Sequence, residues 1–284
     1  MNKILISAIL CIGLLVPTAA QDENTVDTAV NKRGIALLPE AGEFAIGFDA
    51  NPFLSYLGGF LGGNSGSFGL EGFNQTIYGK YFLEYNTAIR AKIRLNFNQN
   101  KVKNTISNDH ALLIDPTNIA ATVVDTRIFS DNSVHLFLGY EKRRGKGRVQ
   151  GFYGGELHLG YDGGKTKYDY GNPITESNQS PSSSWGTGVT QGYRTLESKN
   201  GARYSAGLGG FVGVEYFFAP QISIGGELSL DFSYSIKGQN EYTTEGFLGN
   251  EVQKYKYRAR NWEDAFNVGL QTNTYGNIFL MFHF

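Results

Sequence analysis

Charged residues at every second position are the first feature with chemical consequence. Arg90, Lys92 and Arg94 alternate with Ile89, Ala91, Ile93 and Leu95. On an extended chain that spacing puts three cations on one face and an apolar row on the other. Glu141, Glu156, Glu215, Glu227 and Asp231 hold the polar phase of four further alternating segments. If these segments enclose a common interior, the eight groups become one network of bases and acids, and burial forces them to pair. Such a network can plug a passage or act as a narrow gate.

Histidine is the other group to test, because proton transfer at neutral pH commonly uses it. The four are His110, His135, His158 and His283. None falls in an HExxH pattern, and no G-x-S-x-G nucleophile elbow occurs. Gly58–Gly66 is glycine-rich but lacks the Lys-Ser/Thr ending of a phosphate loop. No catalytic, cofactor or metal site is therefore expected, and the chain reads as non-enzymatic. A formal net charge of −1 excludes the basic footprint of a nucleic-acid binder.

The elements that carry these residues read as strands. In the clearest, Ile222, Ile224, Leu228, Leu230, Phe232, Tyr234 and Ile236 share one face, and Ser, Gly, Glu and Asp fill the other. The same period of two marks 43–49, 74–82, 86–98, 133–143, 148–162, 203–217 and 264–284. Connections alternate between long (50–73, 99–132, 163–202, 235–263) and short (83–85, 144–147, 218–221). That sorting fits a transmembrane barrel, whose periplasmic turns are short and extracellular loops long. Tyr140, Tyr153, Tyr161, Tyr216 and Tyr234 lie near strand ends on the apolar faces, where interfacial aromatic girdles sit. The charged faces then point inward.

The expectation is an all-β fold: a transmembrane antiparallel up-and-down β-barrel of eight strands. Ten strands would result if Ile119–Phe129 formed an extra hairpin instead of lengthening the fourth strand. With 37 Gly, 14% aromatic and 18% charged residues, the composition suits many strands and turns. Residues 1–20 read as a cleaved signal peptide: Lys3, then the apolar run Ile4–Val16, then Thr18-Ala19-Ala20. Its removal takes away Cys11, the only cysteine. Residues 21–42 then form an N-terminal periplasmic tail and 43–284 the barrel, in the outer membrane of a Gram-negative cell.

Two basic clusters suggest contacts. Lys142, Arg143, Arg144, Lys146 and Arg148 crowd a short turn and read as solvated, or as facing anionic lipid or a periplasmic partner. Lys254, Lys256, Arg258 and Arg260 alternate with Tyr255 and Tyr257, as a strand continuing above the membrane toward lipopolysaccharide phosphates. The Ser-rich stretch Ser177–Ser184 reads as mobile loop.

The last residues, Ile278-Phe279-Leu280-Met281-Phe282-His283-Phe284, place Ile278, Leu280, Phe282 and Phe284 on one face. This resembles the C-terminal assembly signal of bacterial outer-membrane barrels. Phe217-Phe218-Ala219-Pro220 and Tyr81-Phe82 resemble periplasmic turns of the small OmpA/OmpX-like barrels. The resemblance implies recognition by the barrel-assembly machinery, residence among outer-membrane lipids and lipopolysaccharide, and a role in envelope integrity or surface interaction through the long loops. A narrow porin for small polar solutes is the alternative. An outer-membrane enzyme acting on lipid A comes third, with His110, beside Asp109 and Ser107, as its one candidate residue.

Overall fold

A computed structural model describes residues 36–50, 75–185, 192–259, 265–272 and 277–284. The expected signal peptide, most of the tail, the Gly58–Gly66 segment and Arg260 lie outside the described residues. Eleven strands and one short helix are present among those described: β1 (Phe44–Asp49), β2 (Gln75–Glu84), β3 (Thr87–Ser107), α1 (Asp109–Ile114), β4 (Thr122–Lys146), β5 (Val149–Asp169), β6 (Tyr193–Ala219), β7 (Ile222–Lys237), β8 (Glu241–Leu248), β9 (Glu251–Arg258), β10 (Ala265–Thr272) and β11 (Asn277–His283). No described helix is long and apolar enough to cross a membrane.

The sheet closes on itself. Neighbours run β1, β2, β3, β4, β5, β6, β7, β11 and back to β1, all antiparallel. This is the expected eight-membered ring. β10 and β11 both pair with β7, at Lys237–Leu230 and at Glu227–Ile222, so they are successive stretches of one barrel strand. Residues 122–129 extend β4 along β3, which settles the ten-strand alternative in favour of a longer fourth strand.

One end of the barrel is built from tight turns. β4 and β5 join through Gly147–Arg148, with Gly147 at φ 63°, and β6 and β7 through Pro220–Gln221, with Gln221 at φ 65°. The ring also seals there. Phe44 N donates to Phe284 O at 3.1 Å, and Phe284 N to Phe44 O at 2.7 Å.

The other end corrects the expected loops. Most of 99–107, 122–132, 163–169 and 193–202 is strand, so β3 to β6 rise far past the ring. Residues 241–258, expected within a loop, form the β8–β9 hairpin, which adds β8 to the upper part of β6. Its turn, Gly249–Asn250, has φ 59° and 70°. Two positive φ values make the type I′ geometry that matches strand twist. The alternation persists in the ring: Ile89, Ile93, Leu157, Leu208, Val212 and Leu228 point outward and exposed, while Lys80, Arg90, Lys92, Phe152 and Glu215 point inward and buried.

Candidate functional site

Inside the ring, the period of two brings ions from six strands to one axis. β2 contributes Lys80, β3 Arg90 and Lys92, β4 Glu141 and Arg143, β5 Glu156, β6 Glu215 and β7 Glu227. Arg90 grips Glu227 with both ends of its guanidinium, Nη1–Oε2 at 2.7 Å and Nη2–Oε1 at 2.9 Å. Its Nη2 also lies 3.3 Å from Glu156. Lys92 Nζ bridges Glu156 at 2.8 Å and Glu227 at 3.1 Å. One layer nearer the tight turns, Lys80 Nζ bridges Glu141 at 2.9 Å and Glu215 at 3.3 Å. Arg143 Nη2 closes on Glu215 at 2.6 Å. Four cations thus meet four carboxylates. None of these side chains is more than 4% exposed.

Phenyl rings fill the space between the ions. Lys80 Nζ lies 4.6 Å above the Phe152 ring, Arg90 packs 3.7 Å from Phe211, and Lys92 sits 4.8 Å from Phe137. Glycines make the room. Each glutamate faces a glycine across the strands: Glu141 with Gly154, Glu156 with Gly139, Glu215 with Gly225 and Glu227 with Gly213. A Cβ at Gly213 would meet the Phe152 ring at 2.2 Å, and one at Gly225 the Phe279 ring at 2.4 Å.

Six of the eight expected charges therefore join the network. Arg94 and Asp231 stand at its margin: Arg94 Nε donates to Thr76 Oγ1 at 3.2 Å, and Asp231 makes no ion pair among the described residues. Two members were not expected. Lys80 has the inward phase of its strand. Arg143 corrects the reading of the turn cluster as wholly solvated: it points into the ring, while Lys142 and Arg144 are exposed. Arg148 donates to Phe218 O at 2.9 Å.

Toward the open end, His135 and His158 are linked Nδ1 to Nε2 at 2.9 Å, and His135 Nε2 reaches Asp162 at 3.1 Å. His158 stacks on Phe137 at 4.4 Å, directly above the ion layer. Above them opens a cavity of about 280 Å³ lined by Asp131, Asp162, Arg203 and Lys237 among others. The pairing was not readable from spacing, because it depends on the β4–β5 register.

A second histidine meets a hydroxyl. His283 Nε2 lies 2.9 Å from Ser223 Oγ and 3.4 Å from Glu215 Oε1, and Ser223 donates to Glu215. This is not a catalytic relay. A relay needs the carboxylate on Nδ1 so that Nε2 serves the hydroxyl; here both crowd Nε2, and Ser223 is wholly buried. His110 is exposed on α1, while its neighbour Asp109 accepts from Ser182 and Asn178. No group of three metal-ligating side chains exists among the described residues.

The terminal Ile278, Leu280, Phe282 and Phe284 take the outward phase of β11, while Phe279, Met281 and His283 are buried inside. Lys254, Lys256 and Arg258 are exposed on β9. β9 is the outer strand of a hairpin, which corrects its reading as part of a barrel strand continuing upward.

No family model and no curated protein matches the chain. Among solved structures it is similar to the outer membrane protein OprG from Pseudomonas aeruginosa, at 12% identity and a TM-score of 0.35, over 87% of this chain and 98% of that one.

Proposed function

We propose that this chain is a non-enzymatic outer-membrane barrel with a sealed polar interior, acting in envelope integrity or surface interaction through the sheet that projects beyond the ring. The observation that carries the reading is the inverted surface. Leu208 (59% exposed), Leu228 (58%) and Val212 (57%) are open on the outside, while eight paired ions fill the inside. In water this arrangement would expose a continuous apolar belt, which soluble monomers avoid. In a bilayer it is the expected polarity of a barrel.

Dimensions agree. Tyr153 and Tyr161 are outward on β5, eight residues apart. That is about 27 Å along a strand and, at a tilt of about 40°, about 20 Å of height, close to the apolar band of such barrels. Tyr81, Tyr140 and Tyr216 mark the tight-turn end, assigned to the periplasm, and Phe97 and Tyr204 the other. Export follows from reading residues 1–20 as a signal peptide, and the outward row Ile278, Leu280, Phe282 and Phe284 supports recognition by the assembly machinery. A narrow porin is the second reading, favoured by the cavity above His135 and His158.

Planar-bilayer conductance tests this. Protein whose folding is verified by a heat-modifiable gel shift is expected to give no steps. Reproducible steps, altered by neutralising Lys92, would overturn the sealed barrel and establish the porin.

A further inference from the structure

Beyond the upper tyrosines the outward surface changes from aromatic to basic. Two cross-strand rows define it. In the first, Lys165 lies opposite Lys199, and Lys199 opposite Glu241, which faces Arg258. In the second, Lys101 reaches Lys167 through Ile128, Lys167 faces Glu197, and Thr243 leads on to Lys256. Directly opposed residues share a face of a sheet, and the ion pairs confirm it. Lys167 and Lys199 both approach Glu197, at 3.5 and 3.3 Å, and Lys256 and Arg258 both approach Glu241, at 3.0 and 3.2 Å.

Four of the six cations thus share two carboxylates, Lys101 and Lys165 pair with neither, and all six are exposed. Arg258 is open over 71% of its side chain and Lys256 over 61%. Lys165 and Lys199 are directly opposed like charges, which destabilises a sheet; Glu197 answers Lys199 at 3.3 Å, and Lys165 is left for a further anion. Height identifies the anion. Tyr161 and Tyr204 face each other just below, their rings 5.5 Å apart. Lys165 is four residues past Tyr161, about 13 Å along the strand and about 10 Å higher. Long basic side chains at this level reach down into the headgroup layer.

We infer that the outer face formed by Lys101, Lys165, Lys167, Lys199, Lys256 and Arg258 binds the phosphates of lipid A in the outer leaflet. The inference rests on the outer-membrane reading above and names the surface of the barrel that its lipid occupies. It also redraws the basic cluster seen in the sequence. Lys256 and Arg258 belong to the surface. Lys254 lies a row farther out, opposite Glu245, whose carboxylate Arg194 holds at 2.8 Å. Arg260 lies outside the described residues. Four lysines from three other strands complete the surface.

The test uses full-length protein refolded into phosphatidylcholine vesicles, with and without bisphosphoryl lipid A. Lipid retained after extraction is counted by native mass spectrometry. The wild type should insert into both vesicles and retain lipid A. The double variant Lys165→Gln/Lys199→Gln should insert equally, shown by the gel shift, but bind lipid A about thirty-fold more weakly, at about fivefold per basic residue lost. Lys165→Arg/Lys199→Arg should bind as the wild type does. Equal retention by the glutamine variant would overturn the inference while leaving the barrel reading intact. Equal retention of dephosphorylated lipid A, or of phosphatidylglycerol in its place, would overturn the lipid A assignment. Failure to insert into either vesicle would overturn the outer-membrane reading itself.

Discussion

The barrel interior and the projecting sheet both bury carboxylates, and they satisfy them by opposite means. In the interior, Glu215 is fully buried and answered by formal charges, Lys80 and Arg143. In the projecting part, Asp125 is equally buried but answered by neutral donors. It accepts from Gly171 N at 2.8 Å, Ser184 N at 2.8 Å and Ser184 Oγ at 3.1 Å. Asp109, next to the Asn108 cap of α1, accepts from Ser182 N, Ser182 Oγ and Asn178 Nδ2. A closed ring commits its backbone N–H groups to strand pairing, so only side chains remain to answer a charge. A loop folded over a hairpin keeps free N–H groups, and two aspartates suffice to pin it. The stretch expected to be a mobile serine-rich loop is thus tied at Gly171, Asn178, Ser182 and Ser184.

The strongest test of that contrast removes one carboxylate from each region. Glu215→Ala leaves Lys80 and Arg143 short of a partner and should cost about 3–5 kcal/mol, the typical result of breaking a buried pair. The midpoint of urea unfolding in lipid vesicles measures it. Replacing the group Lys80, Arg143, Glu141 and Glu215 together by apolar residues of similar volume should cost far less, because no charge is left alone. A cost below about 1 kcal/mol for Glu215→Ala would mean that water or mobile ions answer these charges, and the sealed interior would fall.

Asp125→Ala should cost less, about 1–3 kcal/mol for unsatisfied buried donors, and the loss should be local. Amide exchange at Gly171 and Ser184 is expected to speed up while exchange in the β1–β11 seam stays unchanged. Slowed or unchanged exchange at Ser184 would show that the loop is held by something else, for instance by Arg127 stacked 4.6 Å over Trp185.

Proton dependence separates the regions further. Burial pushes the Asp109 carboxyl up, but hydrogen bonds from Ser182 and Asn178 outweigh it and hold the group below the usual carboxylate range. A depressed carboxyl stabilises above its unfolded value, about pH 3.9, and loses that contribution as pH falls through the lower folded value. With Trp262→Phe leaving Trp185 as the sole tryptophan, its fluorescence should report loosening of the loop on acidification below about pH 4. Asp109→Asn should remove Asp109's part of that response. An identical acid response in the Asp109→Asn variant would detach the loop from this carboxylate.

The same division explains what the sequence disclosed. Within the ring each strand has one apolar and one polar face, so the period of two is visible, and ring size, inward charges and the outward terminal row all follow. Past Phe97 the apolar phase of β3 breaks off: Asn98, Gln99, Asn100 and Lys101 are polar on both faces, and only Val102 and Ile106 interrupt the polar run, although pairing with β4 continues to Ser107. Strand pairing there is set by the partner hairpin, and local hydrophobicity does not record it. Arg143 was hidden for a different reason. Five basic residues around one turn look like a solvated run, and only strict parity from Glu141 reveals that one of them points inward. The roles of Asp109 and Asp125 depend on contacts more than 45 residues away, which no local pattern encodes.

The smallest expected effect lies where the projecting sheet is most regular. The β8–β9 turn needs positive φ at both Gly249 and Asn250. A Cβ at Gly249 would meet nothing within 4 Å, so Gly249→Ala tests backbone conformation free of packing. The left-handed region costs an L-residue about 1 kcal/mol relative to glycine. Asn250 is a residue type that tolerates it, and Asn250→Gly should be neutral or slightly stabilising to the hairpin. Because β9 pairs with no described strand but β8, and meets β6 through the ring contact of Tyr255 with Tyr193, the Gly249→Ala penalty should appear as faster amide exchange across Glu241–Arg258. The urea midpoint of the ring should not move. If it did move, the hairpin would be part of the barrel's cooperative unit, and the separation between a ring locked by charge and a sheet pinned by local hydrogen bonds would have to be redrawn.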